Sequence, residues 1–112
     1  MKLWTVRYQT WERVLEPFNK LTPAQVERLA YLIEECSEVQ HMACKILRHG
    51  YDTYDPTSKN PTHNRLMLCN ELADFHNAVE LLLSSKDLYR DEIERCIKPY
   101  TGRYMHHQKV NS

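Results

Sequence analysis

The chain has 112 residues, 42% of them hydrophobic and 27% charged, and its 15 basic and 15 acidic residues cancel. That length supports one domain with a modest core, and the absence of a basic excess argues against a nucleic-acid partner. No apolar run approaches the roughly 20 residues that cross a bilayer, and charge interrupts the opening MKLWTVRYQTWER before a leader could form.

The expectation is therefore a cytoplasmic, non-membrane protein forming one all-α domain over 1–112, with segments 1–20 and 100–112 peripheral. Two glycines in the whole chain also favour helices over a β-sandwich. Cys36, Cys44, Cys69 and Cys96 show neither a CxxC nor a Cys/His zinc spacing. Cys36 and Cys44 lie two turns apart on one expected helix and cannot bridge there. Buried, reduced thiols are expected.

In chain order, Trp11, Val14, Leu15 and Phe18 fall at helical spacing and predict a short helix over 7–18. Thr22-Pro23-Ala24-Gln25 is a helix start: Thr as cap, Pro at the first helical position, Gln where a capping box needs it. The long helix that follows should run to about Arg48 and stop at Gly50. Residues 51–63 (YDTYDPTSKNPTH) carry two prolines among turn formers and read as a loop. A second long helix is expected from Asn64, its cap, to Leu83, where Ser84-Ser85 breaks it. A third spans about 87–98, with Leu88, Ile93, Cys96 and Ile97 apolar and Pro99 as its end. Shorter helices would complete the core.

The two long helices carry the chemistry. Glu35/Glu38 and Glu71/Asp74 are each spaced i, i+3, which places both acids of a pair on one face, about 60° apart. Leu32, Val39, Met42 and Ile46 share the face of Glu35; Leu68, Phe75, Ala78 and Leu82 share that of Glu71. A carboxylate among apolar neighbours is costly unless paired, protonated or bound to a cation. The helices also match at an offset of 36 residues, Glu35 with Glu71 and Glu38 with Asp74. Packed antiparallel, they gather four acids near mid-helix, as metal-holding bundles do. Surface acids on charged helix faces are the plain alternative.

Oxygen-only ligands suit Mg²⁺, with Mn²⁺ as a substitute, better than zinc. Such a site leads to phosphate-ester or anhydride hydrolysis. Lys45 and Arg48 follow on the same helix and could meet phosphate oxygens, or simply complement the helix dipole. Glu34 lies about 100° from Glu35, off the ligand face; it could orient or deprotonate water, or be solvated. Trp4, Trp11 and Tyr31 could stack on a base, although aromatics at helical spacing are commonly core. Glu38-x-x-His41 is the unit of di-iron carboxylate bundles, but His41 lies a further 60° or so from the apolar face. A non-enzymatic helical interaction module is the third reading.

EExxE (Glu34, Glu35, Glu38) followed by ExxD (Glu71, Asp74), within LTPAQVERLAYLIEECSEV, KILRHG and THNRLMLCNELADFHNAVELL, resembles the MazG-like all-α NTP pyrophosphatases. The resemblance covers roughly residues 20–85, with a weaker echo in the tail from Lys98 to Arg103 and Tyr104. It implies hydrolysis of a nucleoside triphosphate to monophosphate and pyrophosphate with Mg²⁺. The ligands would be Glu35, Glu38, Glu71 and Asp74, with Lys98 and Arg103 matching a phosphate-contacting segment. The loop between the two motifs is longer here than in compact members, which bears on the base pocket. The family assembles as dimers or tetramers. That implies a homodimer or homotetramer here, and a homo-oligomer is expected on physical grounds too, because one chain leaves much of its helices' apolar surface uncovered.

Overall fold

Thr22 opens the first helix by accepting a hydrogen bond from the Gln25 backbone N–H (3.2 Å), and Gln25 Oε1 accepts in return from the Thr22 N–H (2.8 Å). This reciprocal box with Pro23 behind it starts α1, Pro23–His49. The computed structural model describes residues 19–59, 61–99, 102 and 104–108. The expected helix over 7–18, with Trp4 and Trp11, lies outside them, as does Arg103. Two further helices follow, α2 (Asn64–Ser84) and α3 (Arg90–Cys96), and there is no strand among the described residues.

The first two helices form an antiparallel hairpin. Arg28, near the start of α1, bonds Asp87, just beyond α2, while Gly50 after α1 meets Asn64 at the start of α2. Between them lie the apolar faces expected from helical phase. Met42, Ala78 and Leu82 are buried, and Leu32, Val39, Ile46, Leu68 and Phe75 are half-buried. The outer faces keep much apolar surface in the open: Ile33 is 69% and Leu47 87% exposed.

Gly50 ends α1 at φ +89°, where its missing Cβ avoids strain, and its N–H reaches Ile46 O at 2.7 Å. The loop is then tied to the start of α2. The Asn64 and Arg65 N–H groups, without partners inside their own helix, donate to Thr53 O (2.9 Å) and Tyr51 O (2.8 Å). Arg65 also lies 4.5 Å over the Tyr51 ring. Asn64 is not the cap. His63 holds that position without a side-chain bond, and Asn64 is the first helical residue, with its amide turned into the loop.

The third helix is shorter than expected and buries no side chain, so it does not complete the core. Of the apolar residues expected on it, Leu88, Ile93 and Ile97 remain exposed. The cause is the end of α2. Lys86 adopts φ +64°, its N–H bonds Leu83 O, and the Asp87 N–H bonds Leu82 O, which is the Schellman pattern. The chain therefore turns at 86–89, where continuous apolar spacing had suggested a helix. Lysine in the left-handed region is strained where glycine is not. Lys86→Gly is expected to stabilise the chain by about 0.5–1 kcal/mol, a net of relieved strain and added chain entropy. A raised urea midpoint checks this; a lowered one contradicts it.

The same turn presents Asp87 to Arg28 as a two-bond pair, with side chains only 13% and 20% exposed. The Arg28 bond holds the Asp87 carboxyl below its ordinary value of 3.8. A carboxyl lowered by folding stabilises fully above its unfolded pKa, and that contribution fades as pH falls through the folded one. Melting temperature should thus fall as pH drops below about 4, and Asp87→Asn should flatten that part of the curve. An unchanged acid limb in the variant would discard the role of this pair.

Candidate metal centre

Antiparallel packing brings Glu35 on α1 against Glu71 and Asp74 on α2. One oxygen from each of the three carboxylates lies within 4.8 Å of the other two. Helical phase explains the meeting: Glu71 and Asp74 share a face at i, i+3, and Glu35 sits on the facing stripe of α1. Glu35 and Glu71 are half-buried, and Asp74 is exposed.

No ion pair links any of the three to a base among the described residues. Their charges therefore add. Desolvation raises the Glu35 carboxyl above its ordinary value of 4.5, and Asp74, Glu34, Glu71 and Glu38 push in the same direction. Like charges held this close favour either a shared proton or a counter-cation. The donor set is all oxygen, which fits a hard divalent ion such as Mg²⁺ or Mn²⁺.

Glu38 stands one turn along α1, exposed and outside the group of three. It lines a hollow of about 160 Å³ with His41, Met42, Lys45, Met67 and Glu71, and so shares the Glu71 neighbourhood. His41 is in that wall too. Its angle from the apolar face had set it aside, but a wide groove between two helices admits flanking positions that phase alone excludes. Glu34 is exposed, and its carbonyl accepts the Ser37 hydroxyl at 2.7 Å.

Among the bases, Lys45 is half-buried in the hollow beside Glu38. Arg48 and Lys98 are exposed, and Tyr31 is half-buried. The four cysteines are free, as expected, but not buried: Cys44, Cys69 and Cys96 are exposed and Cys36 is half-buried. They fall outside the thin seam between α1 and α2, and no third layer among the described residues covers them.

Lys45 also lines a second hollow, of about 340 Å³, formed by His49, Thr53, Tyr54, Asp55 and Asn64. Sequence reading missed it, because its walls come from a loop folded back on two helix ends. The available signal was Asn64 itself, a polar residue opening an apolar helix. No helix among the described residues is long and apolar enough to cross a membrane. Comparison with known protein families, characterised proteins and solved structures finds no match.

Proposed function

We propose that the chain is a Mg²⁺-dependent nucleoside triphosphate pyrophosphohydrolase, converting an NTP or dNTP and water to the monophosphate and pyrophosphate. The observation that carries this reading is the convergence of Glu35, Glu71 and Asp74 from two helices, with no base paired to them among the described residues. The pattern EExxE then ExxD, on which the resemblance to MazG-like enzymes rests, supports it. Glu35, Glu38, Glu71 and Asp74 would hold the ion, which supplies Lewis acidity and a bound, acidified water.

The chain's own groups divide the remaining work. Lys45, beside Glu38 and Glu71, offers a positive charge to the phosphate chain and offsets charge developing on the leaving pyrophosphate. Arg48, one turn beyond Lys45, can reach the same chain from solvent, and Lys98 and Arg103 follow from the resemblance alone. Glu34, exposed next to Glu35, suits a role in orienting or deprotonating water. The exposed apolar faces of α1 and α2 favour a homodimer or homotetramer over a single chain.

The test is a panel of NTPs and dNTPs with Mg²⁺, each assayed for pyrophosphate and for orthophosphate. Pyrophosphate from at least one nucleotide supports the assignment. Orthophosphate alone, or no product from any of them, rejects it.

A further inference from the structure

The first helix carries a second apolar stripe that the hairpin does not use. Val26, Leu29, Ile33 and Cys36 recur at steps of three and four. They lie about 110° round the helix from the seam of Leu32, Val39, Met42 and Ile46. Glu34 and Glu38 stand on the other side of that seam, so the stripe is separate from the acid cluster. Leu29 and Ile33 are exposed, and Val26 and Cys36 are half-buried. Single exposed apolar residues need no explanation, but a row of them along one helix face marks a surface that another element covers.

The way the chain enters α1 says which element that is. Asn19 is helical, Lys20 takes φ +56°, in the left-handed region where helices end, and the Asn19 side chain accepts the Leu21 N–H at 2.9 Å. Thr22 then caps α1. Three residues between Asn19 and Pro23 are the connection of an αα-hairpin, which lays the preceding residues antiparallel along the next helix. Residues 1–18 lie outside the described structure, and in their sequence Trp11, Val14, Leu15 and Phe18 share one helical face. Trp11 to Phe18 covers about 10.5 Å of helix, the same length as Val26 to Ile33. With Asn19 and Pro23 at the two ends of the turn, Phe18 comes level with the start of the stripe and Trp11 with Leu29 and Ile33.

We propose that the chain's own segment 7–18 covers this stripe, with Trp11, Val14, Leu15 and Phe18 packed on Val26, Leu29 and Ile33. The segment adds a third helix to the hairpin on the flank away from the acids. Leu47, about 21 Å beyond Ile33 along α1, and the exposed Leu66 and Leu72 of α2 remain for a second copy. Neither the metal centre nor the reaction enters the argument, so the proposal stands or falls apart from them.

The chain's two tryptophans, Trp4 and Trp11, both belong to the segment, which makes fluorescence a direct reporter. In the full chain carrying Trp4→Phe, Trp11 emission should lie to the blue of free tryptophan and resist acrylamide quenching. Adding Ile33→Asp should shift it to the red and raise the quenching, whereas adding Leu47→Asp should change neither. Trp11 emission that matches free tryptophan from the start, or that ignores Ile33→Asp, overturns the proposal. A second test needs no charge in the stripe. With the four native cysteines changed to serine, Val14→Cys is paired with Leu29→Cys, and Trp11→Cys with Ile33→Cys. At least one pair should oxidise to a bridge within a single chain, running as a monomer on a non-reducing gel with its thiols consumed. Thiols that stay free in both pairs overturn the proposal, and so does a disulfide-linked dimer, which would give the stripe to a second copy.

Discussion

Glu71→Gln and Asp74→Asn should each lower pyrophosphate release on the order of 10²-fold or more while leaving the hairpin folded. Both changes keep side-chain shape and remove one negative charge from the group of three. Neither acid forms an ion pair that the substitution would break among the described residues. The buried seam, Met42, Ala78 and Leu82, is untouched. Loss of activity with an unaltered circular dichroism spectrum therefore reads as loss of charge at the site. Glu38→Gln is expected to fall on the same scale, because Glu38 faces the hollow that Glu71 also lines. Retained activity in all three variants would sink the site assignment.

The second large effect is on stability, and its sign is opposite to that of an ordinary loss-of-function change. Folding raises the Glu35 carboxyl above 4.5, so its ionised form opposes the native state at neutral pH. A carboxyl raised in this way contributes stability that returns as pH falls through the folded value towards the unfolded one. The metal-free chain should accordingly gain stability on mild acidification, before the loss linked to Asp87 takes over at lower pH. Glu35→Gln is neutral at every pH, so it should melt above the metal-free wild type at pH 7. A cation that binds only the folded state should raise the wild-type melting temperature with its concentration, and Glu35→Gln should lose most of that rise. A variant that melts below wild type without metal and still responds fully to Mg²⁺ would contradict this. So would a wild type that Mg²⁺ leaves unmoved.

The legible parts of this protein are those set by local chemistry or helical period. The Thr22–Gln25 capping box and the stop at Gly50 are complete within a few residues, so both were readable. The apolar stripes Leu32, Val39, Met42, Ile46 and Leu68, Phe75, Ala78, Leu82 follow from 3.6-residue periodicity, and these same residues pack the seam. Two in-phase acid pairs on neighbouring helices also told which carboxylates could meet, and three of the four do so.

What phase cannot give is the separation of two helices and the path of the chain between them. Glu38 shares the phase of its partners, yet it stands outside the group because it lies one turn along a groove of finite width. His41 enters the wall of that groove for the same reason. Asn64 looked like a cap, but its amide serves loop groups up to 14 residues back, a contact that no local rule encodes. The third helix lost its first turn to a left-handed Lys86, where glycine would have given the signal. Asp87 was drawn instead to an arginine 59 residues away.

Whether the acids of α1 and α2 form a divalent-cation site is tested most directly by Mn²⁺ titration followed by electron paramagnetic resonance. Wild type should remove the free-ion signal up to a fixed stoichiometry, added Mg²⁺ should restore it, and Glu71→Ala should leave it unchanged. A wild-type chain that leaves the free Mn²⁺ signal undiminished at millimolar ion, or a Glu71→Ala variant that binds as wild type does, would contradict it.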